Sequence, residues 1–439
     1  MKQRTTVFSI DPNYEDLITN VNQTNFQVTS QPDKQFIIEN KYTVEPTKKY
    51  PNIQQFRIQT KFEDPLDSIF NFGYSRGLNV YAVPVPHYKE VDFWNEVNEL
   101  TNELLNITIT PASFVRNLNS YYYHDIQPID LINDKLTKGV NYDYAYNSDK
   151  VIIRELLQNV DNVNYNLKTG IKKEIGLFWI DEKFSNKQDK SLRGFRVLLD
   201  EENSDEKNVH KTMFDMISKH AHLEKSTSKI IPQGLHPIVN TKIPDSTVEY
   251  FQSQGCKLYY YINVNKSLIF DPFQNVPSGS QLVINNGNKN LELPEYKIPE
   301  WGNEVLFEFD DIISEVNLTL HSRYQLPENN REQATTIFNS PPDVFIGCNT
   351  DKVDVLNASP FDTKRDIQIG GNFEVYFTPD TIFYHFDDKT DTLQIDIPHG
   401  TTTFDRVNSI TLISLLLGIS FIVYGIISKF FTTKKTKTE

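Results

Sequence analysis

Histidines and paired carboxylates are the side chains of this sequence whose types and spacing could do chemistry. His220-Ala-His222, with His210 ten residues upstream, could form a metal site. The spacing matches no standard zinc pattern, the sequence has no H-E-x-x-H motif, and its cysteines are single and distant. We therefore expect surface or capping histidines, and no metal.

Two acidic pairs, Asp310-Asp311 and Asp387-Asp388, could carry acid/base catalysis. Each pair adjoins a predicted strand, which favours a strand-end charge or a turn. The sequence has no G-x-S-x-G elbow, no Walker A loop and no Asp-x-Asp pair of the type that holds a metal and a nucleotide sugar. We expect no catalytic residue and no cofactor; an enzyme built on either acidic pair is the last of three functional hypotheses.

A long apolar run near the C-terminus predicts how the chain is anchored. Ile410 to Ser428 contains 19 residues without a charge. As a helix this run is roughly 28 Å long, about the thickness of a hydrocarbon core. We predict one transmembrane helix over residues 406–428.

Small residues within this run predict a packing face. Ser414, Gly418 and Gly425 fall at intervals of four and seven, on one side of a helix. Such a stripe permits close approach of another transmembrane helix. The alternative is that Gly and Ser are simply frequent in membrane spans.

Lysines after the span predict its orientation. The tail at residues 429–439 is basic, whereas an acidic domain precedes the span. Because positive charge stays on the cytoplasmic side, we expect a cytoplasmic tail and a large domain in the lumen or outside the cell. Lys435 and Lys437 also match the K-x-K-x-x signal that retrieves ER membrane proteins, although an ordinary basic stop-transfer tail looks similar.

The N-terminus leaves a second topology open. Residues 1–17, MKQRTTVFSIDPNYEDL, contain no apolar h-region of a signal peptide. A tail-anchored protein with its large domain in the cytosol is therefore the alternative. That topology places the basic tail in the lumen, so we favour the lumenal domain.

Glycosylation sequons and two cysteines fit a lumenal domain. The predicted N-glycosylation sites are Asn22, Asn106, Asn265, Asn317 and Asn357. In an Asn-rich chain several sequons arise by chance, and the last is weakened by Pro360. Cys256 and Cys348 could form one disulfide in an oxidising compartment, but two buried free thiols fit the sequence equally well.

Composition and patterning predict a mainly β protein. The chain of 439 residues is 38% hydrophobic and 12% aromatic, which is enough for real cores, and its net charge of −14 argues against nucleic-acid binding. Short alternating apolar segments bounded by Pro, Gly, Asn or Asp predict antiparallel, sandwich-like sheets. Two amphipathic helices are predicted, at Val91–Leu105 and Val209–Leu223.

A charged stretch from Asp200 to Ser228 is the predicted domain boundary. We divide the chain into an N-terminal region that is α+β or mainly β, a β-rich domain, the transmembrane helix and the cytoplasmic tail. Their residues are 1–229, 230–405, 406–428 and 429–439.

One segment at the end of a predicted strand resembles a known family. Residues 317–327 read NLTLHSRYQLP, and His321, Arg323, Tyr324 and Pro327 match the H-x-R-Y-x-x-P core of the PIG-X family, which includes the fungal Pbn-type proteins. Further segments resemble the family in the same order along the chain. They are Gly234-Leu-His236-Pro237, Cys256-Lys-Leu-Tyr, Leu268-Ile-Phe-Asp271-Pro272, Leu291-Glu-Leu-Pro294 and Ile397-Pro398-His-Gly400.

The resemblance covers about residues 230 to 430, close to half of the chain, and includes the C-terminal span. Residues 1–229 lie outside it, and His399 stands where the family usually has an apolar residue. Fungal members are similar in carrying such an N-terminal extension and in lacking an obvious signal peptide.

The resemblance implies a non-catalytic subunit of GPI mannosyltransferase I in the ER membrane. The implied partner is the multispan catalytic subunit, which transfers the first mannose from dolichol-phosphate-mannose to glucosaminyl-phosphatidylinositol. The PIG-X-like subunit is expected to stabilise that enzyme. The competing hypothesis is an ER-lumenal chaperone that binds client proteins through its sheet surface.

The H-x-R-Y-x-x-P segment could be the contact with that partner. Arg and Tyr are enriched at binding hot spots, which favours His321, Arg323, Tyr324 and Pro327 as contact residues. The alternative is structural: Arg323 pairs with a carboxylate, Tyr324 packs in the core and Pro327 ends the strand.

Overall fold

The structure is a computed structural model of the chain. The description covers residues 2–9, 11–21, 25–30, 36–61, 75–126, 141–160, 162–166, 172–185, 189–199, 209–252, 254–328, 333–350, 355–356, 376–378, 380–390 and 392–435.

The earlier elements are fourteen strands and one α-helix within the described residues. The strands are Lys2–Ser9 (β1), Ile18–Val21 (β2), Asn25–Thr29 (β3), Phe36–Val44 (β4), Ile53–Lys61 (β5), Gly77–Pro84 (β6), Val115–Arg116 (β7), Tyr121–Asp125 (β8), Asn141–Asn147 (β9), Val151–Val160 (β10), Asn162–Asn166 (β11), Lys172–Ile180 (β12), Asp189–Leu199 (β13) and Val209–Ser218 (β14). The helix, α1, is Glu90–Leu105 and lies between β6 and β7.

The later elements are another fourteen strands and two α-helices among the residues described. The strands are His220–His222 (β15), Thr227–Ile231 (β16), Ile238–Lys242 (β17), Lys257–Asn265 (β18), Leu268–Ile269 (β19), Ser280–Gly287 (β20), Gly302–Phe309 (β21), Glu315–Thr319 (β22), His321–Ser322 (β23), Ala334–Asn339 (β24), Asp343–Asn349 (β25), Val355–Leu356 (β26), Thr381–Phe386 (β27) and Leu393–Pro398 (β28). The helices are Asp245–Gln252 (α2) and Phe404–Lys435 (α3).

A twelve-stranded sheet contains most of the earlier strands. Its order is β26-β14-β13-β12-β1-β4-β10-β9-β5-β6-β8-β7. Helix α1 buries Phe93, Val97 and Leu100 in one core cluster with Phe56 of β5, because these residues recur on one helical face. The predicted helix at Val91–Leu105 is therefore confirmed.

A six-stranded sheet organises the later half, in the order β15-β27-β25-β18-β21-β20. Leu258, Tyr260 and Ile262 of β18 lie in the largest core cluster, while Tyr261 of the same strand lies in a second one. Since neighbouring residues of a strand face opposite sides, β18 is buried on both faces.

Most of the strand pairs are antiparallel, as predicted. Among the described residues, the parallel strand pairs are β1 with β12, β14 with β26 and β15 with β27. Each joins segments that are distant in sequence; Ile217, for example, pairs with Val355. The prediction of a mainly β protein with one C-terminal apolar helix is confirmed.

The predicted helix at Val209–Leu223 is wrong. These residues form β14 and β15, and β14 pairs with β13 from Val209 opposite Val197 to Ile217 opposite Asp189. Backbone pairing with β13 holds these residues in an extended conformation, even though their apolar spacing predicts a helix. Tertiary context of this kind commonly overrides local propensity.

Polar side chains connect the earlier and later strands. Asn263 of β18 donates through Nδ2 to the Tyr122 hydroxyl of β8 at 2.8 Å. His124 Nε2 lies 2.9 Å from the Ser340 hydroxyl. The division near residue 229 stays a prediction, because β26 of the later part also joins the sheet of the earlier part.

Helix α3 contains the predicted span. Within the described residues, Phe404–Lys429 is the one helix long and apolar enough to cross a membrane, and it is not buried against the rest of the chain. Its hydroxyls bond within the helix: Ser420 donates to the Leu416 carbonyl at 2.7 Å, and Thr411 to that of Val407 at 2.8 Å. Such bonds satisfy polar groups where a bilayer offers no water.

Candidate functional site

The H-x-R-Y-x-x-P segment begins in the short strand β23. His321 pairs with Ile269 of β19, and the Ser322 backbone N–H donates to the Leu235 carbonyl at 2.8 Å. Next, the Arg323 N–H donates to the Ser267 carbonyl at 2.8 Å. These backbone bonds hold the segment against two of the other family-like segments, at Leu235 and Ile269, and against the neighbouring Ser267.

His321 is half-buried and contacts two side chains. Asn275 donates through Nδ2 to its Nε2 at 2.7 Å, so Nε2 is the acceptor and the ring is neutral. The His236 ring lies edge-on, 4.6 Å away between centroids. Burial, and then the neighbouring His236, lower the pKa of His321, against a smaller opposite effect of Asp271. His321 is therefore uncharged at neutral pH.

Arg323 is buried and binds backbone rather than a carboxylate. Its Nη1 donates to the carbonyls of Asn290 at 2.5 Å and Leu293 at 2.7 Å, and Nη2 donates to that of Asn288 at 3.4 Å. Burial lowers the pKa of Arg323, while Glu300 partly opposes the shift. The guanidinium positions the loop at residues 288–293 and is not itself a surface contact.

Tyr324 and Pro327 lie at the surface. The Tyr324 side chain is 70% exposed, and its carbonyl accepts the Glu295 N–H at 3.0 Å. Pro327 faces Gly400, and the Glu328 N–H donates to the Gly400 carbonyl at 3.1 Å. The end of the motif is therefore fixed to the segment that leads into α3.

Large exposed apolar side chains border this segment, and we call them the apolar rim. They are Leu235, Phe273, Leu291, Tyr296, Tyr324 and Leu326. The sequence did not predict Phe273 or Tyr296, since no local pattern distinguishes an exposed aromatic residue from a core one. Nor did it predict Asn275, which contacts His321 only in the folded chain. Their proximity to the motif depends on loops that only the fold brings together.

The predicted cysteines and sequons lie in different settings. Cys256 and Cys348 are joined in a disulfide across β18 and β25. Asn106 and Asn317 are exposed, whereas Asn265 is half-buried and donates through Nδ2 to the Phe338 carbonyl at 3.3 Å. Two sequons, at Asn22 and Asn357, fall outside the described residues.

The predicted tail signal is described only in part. Lys435 is the last residue of α3, and Lys437 falls outside the described residues. On the same helix, the predicted stripe of Ser414, Gly418 and Gly425 is exposed. At about 100° per residue, Phe421 lies at the edge of that stripe, about 20° from Ser414, so the face combines small residues with one large ring.

The acidic pairs take part in local structure. Asp388 accepts the Ser228 and Thr390 backbone N–H groups at 3.2 and 2.7 Å, which forms a turn. Asp387 accepts from His222 Nδ1 at 2.8 Å. Asp310 and Asp311 are exposed at the end of β21.

The histidines near residue 220 are not all at the surface, which corrects the expectation. His210 is exposed, but His220 and His385 are buried, with Nδ1 of the first 2.8 Å from Nε2 of the second. Pairing of β15 with β27 brings them together from 165 residues apart. No group of His, Cys, Asp and Glu in the described part of the chain could hold a metal ion.

Comparisons with known proteins match the sequence of this chain to one family. A family model described as PIG-X / PBN1 matches residues 232–427. Protein PBN1 of Candida albicans is 50% identical, with all of both chains covered. Protein PBN1 of Debaryomyces hansenii is 32% identical over 98% of this chain and 97% of its own, and that of Eremothecium gossypii is 30% identical over 58% and 57%. This chain belongs to the PIG-X / PBN1 family.

Proposed function

We propose that this chain is the non-catalytic stabilising subunit of GPI mannosyltransferase I in GPI-anchor biosynthesis. Its partner is then the multispan catalytic subunit that adds the first mannose. The observation that carries the proposal is the convergence of the family-like segments: His236, Asp271, Leu293 and Gly400 all lie against the H-x-R-Y-x-x-P segment or its neighbours. This convergence supports a contact surface as the role of the segment.

We further propose how the motif contributes to partner contact. Arg323 positions the loop at residues 288–293, and His321 anchors the strand through Asn275. Tyr324, with Pro327 beside it, presents the accessible part of the motif. In the membrane, the face of Ser414, Gly418 and Gly425 offers a second contact, with Phe421 as its projecting ring.

The proposed location is the ER membrane, with the large domain in the lumen and the tail in the cytosol. The disulfide between Cys256 and Cys348 supports an oxidising compartment. The basic tail supports the orientation, and Lys435 with Lys437 supplies the retrieval signal.

Depletion of the chain in a fungal host tests this function. We expect the catalytic subunit to fall in abundance and its glucosaminyl-phosphatidylinositol substrate to accumulate. Complementation with Tyr324→Ala should restore less of the catalytic subunit than complementation with Phe184→Ala, which removes an exposed ring outside the motif. A catalytic subunit that stays abundant and active without this chain contradicts the proposal.

A client-binding role in the lumen is the second candidate, and the exposed apolar rim is the observation that favours it. Affinity purification of the full chain discriminates the two. Many unrelated clients bound without the transferase would support the second candidate, and one membrane enzyme recovered in fixed ratio would support the first.

A further inference from the structure

The apolar rim consists of exposed side chains on the motif and on segments that are hydrogen-bonded to it. The exposed fractions are 94% for Phe273, 70% for Tyr324, 53% for Leu326 and 48% for Tyr296. Large apolar side chains gathered in this way mark an interaction site.

Hydrogen bonds place these side chains on neighbouring segments. The Tyr324 carbonyl accepts from Glu295, next to Tyr296 in the chain. Asn275, two residues after Phe273, donates to His321 at 2.7 Å. These bonds hold the segments that carry Tyr296 and Phe273 against the motif.

The chain itself limits how far the rim lies from the bilayer. Glu328 is bonded to Gly400, and α3 begins four residues later, at Phe404. Four fully extended residues span at most about 14 Å. Phe404, with an exposed side chain, precedes the uncharged run by six residues and so lies near the headgroup layer. The end of the motif is thus within reach of that layer.

The composition of the rim fits lipid at the level of the headgroups. Tyrosine has an apolar body and a polar tip, and such rings are enriched at membrane–water interfaces. Exposed charges beside the rim have both signs: Lys289 and Lys297 are basic, and Glu292 and Glu328 are acidic. The surface has no net attraction to anionic lipid and depends on apolar contact.

We propose that the apolar rim lies on the lipid surface on the domain's side of the bilayer, beside α3, so that the domain is held to the bilayer by a second contact besides its helix. The occupant is zwitterionic phospholipid. This inference does not depend on the proposed function, because it concerns the chain without its partner.

Fluorescence quenching in nanodiscs tests the contact on the full chain alone. Cys256 and Cys348 are bonded to each other, so a new thiol is labelled selectively. Phe273→Cys and Tyr324→Cys carry an NBD fluorophore in the rim, and Phe184→Cys is the matched control on the turn after β12. The discs contain phosphatidylcholine with or without a spin-labelled analogue.

We expect the spin-labelled lipid to quench both rim labels about two-fold more than the control label, with blue-shifted emission, as for interfacial side chains. Phosphatidylserine in place of phosphatidylcholine should change the quenching little. Equal quenching at the rim and control sites overturns the proposal. If spin-labelled lipid quenches neither rim label, and the emission of these labels shifts only when the catalytic membrane enzyme is added, the surface binds that protein. This result also overturns the proposal. If Phe273→Cys does not fold, Tyr324→Cys alone decides.

Discussion

Arg323 is the residue whose placement changes the interpretation of the motif. A side chain that could have been a surface hot spot is instead enclosed by three backbone carbonyls, of Asn288, Asn290 and Leu293. Its neighbour Tyr324 is exposed. Of these two adjacent residues, therefore, the buried one positions the loop at residues 288–293 and the exposed one is available to bind.

Loss of the guanidinium should destabilise the domain. Arg323→Ala leaves the carbonyls of Asn290 and Leu293 without this donor, while the Asn288 carbonyl still accepts from Asn303 Nδ2 at 3.1 Å. We expect a loss of about 2–4 kcal/mol, typical for buried polar groups left unpaired. Lys211→Ala is the control, because Lys211 and its partner Glu15, 2.8 Å away, are both exposed; surface pairs contribute about 1 kcal/mol or less. Denaturant unfolding of both variants measures the difference. Equal losses of unfolding free energy in the two variants would mean that the contacts of Arg323 with the carbonyls stabilise the domain no more than a surface ion pair does.

His124 supplies a second prediction for a single residue. Burial lowers its pKa to about 3, from a usual value near 6.5. Because the folded pKa is depressed, the stabilisation is complete above pH 6.5 and is lost as the pH falls. At pH 5 the expected loss is about 2 kcal/mol relative to neutral pH. His124→Asn should remove that part of the pH dependence.

Unfolding midpoints between pH 7.5 and 5 provide the measurement. His87→Asn is the control, since His87 is exposed and its positive φ of 61° suits asparagine. Some acid sensitivity should remain in His124→Asn, because burial also lowers the pKa of His385. An unchanged pH dependence would contradict the account of His124.

At the scale of elements, the disulfide joins two neighbouring strands at the centre of the later half. Cys256 immediately precedes β18, Cys348 lies in β25, and the bond closes a loop with a sequence separation of 92. A crosslink of this length reduces the entropy of the unfolded chain, and the chain-entropy account gives up to about 4–5 kcal/mol.

Serine substitutions should therefore act as one unit. Cys256→Ser, Cys348→Ser and the double variant should lose nearly the same stability, since any of them removes the bond. Denaturant unfolding with thiol titration provides the measurement. A double variant that loses about twice as much as each single variant would show that the cysteines act separately by packing, contrary to this account.

Some elements could be predicted from the sequence because their signals are local. Helix α3 has a charge-free run, and α1 has the 3.6-residue stripe of Phe93, Val97 and Leu100. Strand β14 could not be predicted from its own residues, because pairing with β13 and β26 decides its conformation. The order of the family-like segments could also be identified in the sequence. The burial of Arg323 and the exposure of Phe273 could not be predicted, because they depend on long-range packing.

For the whole molecule, topology decides where sugars can be attached. If the domain is lumenal, the exposed Asn106 and Asn317 should carry N-glycans. Thr108→Ala and Thr319→Ala remove the two sequons and leave both asparagines, including the left-handed helix cap at Asn106, in place. Each substitution should increase electrophoretic mobility by the mass of one glycan. Endoglycosidase treatment should make the variants and the parent chain identical, whereas no shift in any of them would indicate a cytosolic domain.

The parallel pairs have a consequence for the order in which the chain can fold during its synthesis. Strand β14 can pair with β26 only after Val355 has been synthesised. Strand β15 can pair with β27 only after Phe383 has been synthesised, about twenty residues before α3 begins. The nascent chain therefore keeps unpaired strand edges until translation has almost reached α3. Folding and membrane insertion become nearly simultaneous events, and any helper that protects the chain must do so from its first strand until the ribosome delivers the last.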